Sequence, residues 1–411
     1  MNLGRLFRFP PELSPQLRSN YIFLLWDIGV WGFYMGSTVA FLTIYAARVG
    51  ATPEEIGLLT ALPALLSLLL AVPVGQWLKR FPAGPVTAWG AFVARFLLVV
   101  YVILPWALPP TLQVQALLVM AVILALPNTV ISISFNQFFI EAIPTRWRGT
   151  VVGARNAIMS IVSFVVTLLC GQVLTYVAFP RGYQIVFFIG FAGALATAYM
   201  IARVRPVPDS DLPLLSGSGA PAARWRLPAL DANGRAYLKV IGLLFWLNFT
   251  NNMAAPLVPD LLVGQLKLSD AMISVGTATT TFLTFVISLR VARFTLRTGN
   301  RKATAIGAGL LAVQAITLAL ATNALFYLVS AVIAGIAIGV LGAAQYNYPL
   351  DHLPSADRPN WLSYNVLLGN AAILLGALAG PLIARFLGIP GALIAFGALR
   401  LLVGIAILRW G

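Results

Sequence analysis

Long apolar runs, each followed by a short polar connection, recur along the whole chain and leave it few folds to adopt. A run of about twenty residues wound as a helix matches the roughly 30 Å of hydrocarbon in a bilayer, and it is too long for a barrel strand. In the first half the runs fall at 20–46, 54–78, 85–106, 111–141, 150–177 and 183–203. In the second they fall at 236–263, 271–296, 302–321, 324–351, 359–387 and 391–409. Only 9% of the residues are charged, against about a quarter in soluble domains, so an integral membrane protein is expected. The fold class that follows is all-α, with twelve transmembrane helices in two pseudo-symmetric six-helix bundles. Residues before Tyr21 hold no apolar leader core, so the first span is expected to do the targeting.

The net charge of +15 could suggest nucleic acid, but the basic residues are spread between spans and form no patch. Topology accounts for them better. Connections rich in Lys and Arg alternate with connections holding only Arg48, Arg181, Lys267 and Arg385. Arg155 and Arg290 lie just inside spans that end on the basic side. Basic loops mark the cytoplasmic face, so both termini are expected inside a cell (inner) membrane. Residues 204–235, rich in Pro, Gly and Ser, read as a cytoplasmic linker between bundles at 1–203 and 236–411.

The halves repeat each other. Glu141-x-x-Pro144-x-x-x-Arg148 follows the fourth span and Asp351-x-x-Pro354-x-x-x-Arg358 follows the tenth. Asn136-Gln137 precedes one and Gln345-Tyr346-Asn347 the other. Gly75-x-x-x-Lys79-Arg80 and the stretch from Arg297 through Arg301 to Lys302 correspond more loosely. Two repeated bundles joined by a linker can rock around a midplane cavity.

In span count, linker position and these paired loops the chain resembles the major facilitator superfamily over nearly its whole length. The loop after span 2 or 8 in that family usually carries an aspartate, where this chain has Lys79 and Leu296. The drug-antiporter branch usually carries Gly-Pro near the end of span 5, where this chain has Gly171-Gln172. The resemblance implies secondary transport by alternating access. From the repeated loops, Glu141 with Arg148 and Asp351 with Arg358 are expected to form paired latches of a cytoplasmic gate that also takes in Arg297 and Arg301.

Charged residues deep in spans are few: Asp27, Arg95 and Arg400. Each costs about 3 kcal/mol on insertion scales and needs a partner, water or a task. Asp27 shares a helical face with Trp31, Tyr34 and Thr38. Burial favours its neutral form and a nearby arginine its charged form, so Asp27 with Arg95 is the candidate proton-coupling pair. A permanent Asp27–Arg95 ion pair is the structural alternative, and a role for Arg95 in holding an anionic substrate is the other. Arg400, with no acid in its half's spans, is expected on backbone carbonyls. The candidate substrate cavity comprises Trp31, Tyr34, Asn128, Ser132 and Asn136 from the first half. From the second come Trp246, Asn248, Asn251, Asn252, Gln345, Asn347, Tyr364 and Asn365. Amides facing lipid are costly, so they face protein or water.

One His, one Cys and no phosphate-binding loop leave no zinc site, nucleophile elbow or nucleotide drive, so neither an enzyme nor a cofactor is expected. Metal ligation is not expected either. The expected partners are the bilayer, protons and a small neutral or amphiphilic solute, with no nucleic acid, and a monomer is expected. The competing reading is a membrane sensor or scaffold that keeps the fold without solute flux.

Overall fold

Where each helix starts is written in its first residues. Ser14 caps α1 (Pro15–Arg48), its hydroxyl accepting from the Leu17 amide, with proline at the first helical position. Thr52 and Glu55 cap each other's amides at the head of α2 (Pro53–Leu78). The computed structural model describes residues 14–78, 80–207, 232–354 and 358–411. Helices α3 (Ala83–Ala107), α4 (Pro110–Ala142), α5 (Thr145–Tyr176) and α6 (Arg181–Arg203) complete the first half. In the second, α7 runs Ala232–Ala254 and continues, past a break, through Leu257–Asp260 and Leu261–Gln265. It is followed by α8 (Asp270–Thr298), α9 (Asn300–Ala319) and α10 (Ala324–Leu350). The final helical stretch, Arg358–Trp410, is two helices, α11 (358–387) and α12 (389–410). Gly388 separates them at φ 69°, ψ 164°, a conformation glycine adopts without steric cost. All twelve expected spans are therefore helices, and no strand occurs among the described residues. Among the described residues ten stretches are long and apolar enough to cross a membrane, and the last, Trp361–Trp410, at roughly 75 Å is long enough for two crossings.

By packing, the chain divides into two compact units. One holds the described residues of Met1–Leu42 and Leu66–Ala222; the other holds those of Thr43–Leu65 and Ala223–Gly411. In the first unit α1 lies against α5 and α6. At Gly36 an added Cβ would stand 2.5 Å from the Ser163 carbonyl oxygen, so only glycine permits this approach. Leu17, Tyr21, Leu24, Phe138, Ile143 and Ile201 form a core near one end of the unit. Asn20, fully buried, clamps that end: its amide donates to the Ala142 carbonyl at 3.0 Å and the Arg205 carbonyl at 2.7 Å. Its side-chain oxygen accepts from the Arg205 amide at 3.1 Å. The first residues beyond α6 are thus docked, with Val204 and Val207 buried; the stretch 208–231 of the expected linker lies outside the described residues.

In the second unit the turn joining α1 to α2 is held by charge. Arg48 binds Asp270 at 3.0 Å and the Leu268 carbonyl at 2.6 Å, and Arg385 binds Glu54 at 2.6 Å. Leu257, Leu261, Ile273, Leu393 and Phe396 form the core beside this turn, with Ile44. A second core, around Leu244, Ala308, Leu341 and Tyr348, lies elsewhere in the unit.

Candidate functional site

Helix α1 brings Asp27, Trp31 and Tyr34 onto one face, and a π-helical turn, Met35–Val39, follows at once. Such turns widen the backbone spiral and recur at functional positions. Asp27 is 4% exposed and binds Arg155 of α5, also nearly enclosed, at 3.0 Å. Arg155 also donates to the Leu24 carbonyl at 2.7 Å and stands 5.4 Å over the Phe135 ring of α4. The ion pair expected between Asp27 and Arg95 is not formed. The reason is depth. Helix α5 starts at Thr145 rather than at 150, so Arg155 enters roughly 8 Å deeper than the sequence suggested and reaches Asp27 first.

Arg95 nevertheless belongs to the same cluster. It lies 7% exposed on α3, three residues before that helix breaks at Leu98. Its Nε donates to the Thr197 hydroxyl of α6 at 3.3 Å, and its guanidinium stacks 4.4 Å over Trp31. Thr197 in turn donates to the Ala194 carbonyl, and Trp31 packs on Tyr34 with ring centroids 4.6 Å apart. Five helices of the first unit thus converge on one acid and two arginines.

The remaining polar residues of that half follow a stripe. Asn128, Ser132 and Asn136 stand exposed on α4 at i, i+4 and i+8. Asn136 and Ser132 bond back to their own helix, at the Ser132 and Thr129 carbonyls. Exposed amides in the middle of a span cannot face lipid without cost. The second unit carries a counterpart. Gln345 of α10 donates to the Asn248 oxygen of α7 at 2.9 Å, and the Asn252 amide donates to the Asn248 carbonyl. Asn251, Asn347 and Trp246 are exposed beside them, while Tyr364 and Asn365 of α11 are half-buried. Arg400 takes no part: 1% exposed, it donates to the carbonyls of Leu311, Thr250 and Asn251.

The gate residues are arranged differently from a set of acid–arginine pairs. Arg148 donates to the Ile140 and Ile143 carbonyls at the end of α4, while Glu141 accepts from Gln137. Asp351 accepts from Asn300 at 2.8 Å, and Arg301 donates to the Ile407 and Leu408 carbonyls at the end of α12. The last carbonyls of a helix lack amide partners and carry partial negative charge, which draws the arginines away from the carboxylates. Arg297 is exposed; the side chain of Arg358 lies outside the described residues.

Sequence reasoning missed Arg155 as the partner of Asp27, the Asn20 clamp, and both ion pairs at the α1–α2 turn. For Asn20 a signal existed, since it is an amide at the mouth of an apolar run. For Arg48 with Asp270 and Glu54 with Arg385, nothing local in the sequence links the partners.

The model of the Major Facilitator Superfamily matches residues 240–411. Comparison with curated proteins by sequence gives no match. Among solved structures, a D-xylose-proton symporter is similar with TM-score 0.71 at 15% identity, over 96% of this chain and 98% of that one. The xylose transporter XylE from E. coli gives TM-score 0.67 at 14% identity, over 97% and 98%. The nucleoside transporter NupG gives 0.66 at 10% identity, over 97% and 100%. These likenesses establish the fold over nearly the whole chain, and the sequence match covers its second half. The second half of the chain thus matches the Major Facilitator Superfamily by sequence, and the chain as a whole shares the fold of these transporter structures.

Proposed function

We propose that the protein is a secondary active transporter that moves a small organic solute by alternating access, with protons as the coupling ion. The observation that carries the reading is the pair of polar stripes, Asn128–Ser132–Asn136 and Asn248–Asn251–Gln345–Asn347, on helices otherwise built for lipid. A sensor or scaffold has no need for exposed amides in the middle of spans of both halves. Solved relatives of the fold that carry xylose or nucleosides support a small organic solute as cargo.

In this reading the moving halves are 1–203 and 236–411, joined by a cytoplasmic linker at 204–235. Both termini are inside, as the Lys/Arg asymmetry argues. The α1–α2 turn is then outside, where the Arg48–Asp270 and Arg385–Glu54 pairs hold one state shut. Asp27 is the coupling carboxylate. Protonated, it is neutral and releases Arg155; ionised, it holds Arg155 across α1 and α5, so proton loading is tied to the helix contacts around it.

The test uses purified protein in liposomes. A panel of sugars, nucleosides, amino acids and organic acids is screened by thermal shift, and hits are followed for flux under an imposed pH gradient. Asp27→Asn is expected to abolish gradient-driven accumulation while leaving solute exchange. Accumulation by the variant at the wild-type rate would remove Asp27 from the coupling step. No flux of any hit would remove transport itself.

A further inference from the structure

Three arginines lie deep inside the spans, and two have both terminal nitrogens engaged. Arg155 is paired with Asp27 and donates to Leu24, and Arg400 donates from its terminal nitrogens to three carbonyls while its Nε is sealed without a partner. Arg95 is not engaged in this way. Asp27, Arg155 and Arg95 sum to one positive charge left over inside the membrane-spanning part of the first unit. Of the five nitrogen-bound hydrogens on the Arg95 guanidinium, only that on Nε is placed, on Thr197. One face of the group is covered by Trp31. The two terminal nitrogens donate to no described residue, yet they are not among the sealed polar atoms without a partner. They therefore border space that a small polar group can enter. What stays free is the end-on fork of two parallel N–H donors, the geometry that takes both oxygens of a carboxylate.

We propose that Arg95 is an anion subsite, and that the solute carried by this protein bears a carboxylate which docks end-on against its terminal nitrogens. This names the substrate class within the transport reading and rests on it. It replaces the neutral solute suggested by the abundance of amides and aromatics. The amide stripes then contact the uncharged remainder of the solute, and Trp31 and Tyr34 form a wall beside its charged end. Asp27 repels a bound carboxylate from the other side of the cluster. Neutralising it strengthens anion binding, so a proton and the solute bind together.

The probe is benzoate, with benzamide as its uncharged match and acetate as a smaller carboxylate. Each is titrated against the purified full-length protein and followed by thermal unfolding. Benzoate or acetate is expected to stabilise the wild type saturably, and benzamide is not. Arg95→Gln is expected to weaken carboxylate binding by at least about tenfold. Asp27→Asn is expected to strengthen it severalfold. Arg95→Lys keeps the charge but loses the planar fork, and is expected to lose most of the affinity. It serves the same purpose should Arg95→Gln fail to fold. The subsite is overturned if neither carboxylate stabilises the wild type more than benzamide does, or if the Arg95 variants bind them as well as the wild type. Arg95-dependent binding without flux of any panel solute would sink the transport reading alone. Flux of neutral solutes that ignores Arg95→Gln, with no carboxylate binding, would sink the subsite alone.

Discussion

Arg95 in the first unit and Arg400 in the second are both arginines sunk in apolar helices, and they are spent in opposite ways. Arg400 lies beside the place where α7 breaks after Ala254, with Pro256 and Pro259 following. A broken helix leaves its last carbonyls without amide donors, and Arg400 donates to one of them, on Asn251, as well as to the Thr250 carbonyl one residue earlier and to Leu311. Its charge is consumed in closing a backbone defect. Arg95 also sits near a helix break, at Leu98, but it turns away from the backbone to a hydroxyl and an indole ring. Arg148 and Arg301 behave like Arg400, each covering the carbonyls at a helix end. In this protein an arginine that caps a helix is structural. In the proposed reading, one that leaves both carbonyls and carboxylates alone serves a ligand.

The largest effect that tests this division is expected at Arg155, which belongs to the ligand-side cluster by position but is fully engaged by contacts. Arg155→Gln leaves Asp27 enclosed without its partner and is expected to cost about 3–5 kcal/mol, read as a lowered unfolding midpoint in detergent. Adding Asp27→Asn removes the stranded charge and should restore most of the loss. If the double variant is no better than Arg155→Gln alone, the pair is not what holds α1 to α5.

Next comes Arg400→Met, which keeps the volume and removes the donors. Three carbonyls lose a charged partner while the cost of burying the charge is relieved, so a net loss of about 2 kcal/mol is expected. Carboxylate binding per folded molecule should be unchanged. A variant as stable as the wild type would mean that the α7 break is satisfied without Arg400, and the comparison would lose one side.

Asn20→Ala extends the same logic to a neutral group. The clamp makes three hydrogen bonds in a fully buried position, and its loss should cost about 1–2 kcal/mol. The segment beyond α6 should also become cleavable near Arg205 under limited proteolysis. Unchanged protection there would show that Val204 and Val207 hold the segment by apolar packing alone.

How far the sequence disclosed this depends on the scale of the question. Twelve spans were legible because twenty-residue runs report on the solvent around them, whatever their contacts. The depth of Asp27, Arg95 and Arg400 followed from the same counting. Choice of partner did not. The Asp27–Arg155 pair turns on where α5 begins, and a five-residue error at Thr145 exchanged one arginine for another. The repeated acid–proline–arginine loops were visible as a pattern. A pattern, however, cannot distinguish a salt bridge from a cap, and Arg148 chose carbonyls over Glu141. The pairing of Arg48 with Asp270 depends on packing between distant helices, which no local spacing encodes.

The smallest effect on stability is expected where the effect on binding is largest. Arg95→Gln removes a positive charge that the protein compensates with one 3.3 Å hydrogen bond and one ring face. Those contacts contribute about 1.5–3 kcal/mol each in a net sense. Against them stands the cost of holding a guanidinium out of water, which the Asp27 carboxylate, already bound to Arg155, offsets only in part. The two terms nearly cancel. Arg95→Gln should unfold within about 1 kcal/mol of the wild type when no solute is present. With a saturating carboxylate present, the wild type should gain stability and the variant should not, so the difference between the two proteins opens only on adding ligand. A loss of several kcal/mol without ligand would place Arg95 beside Arg400 as a structural arginine. The contrast between the two halves would then collapse.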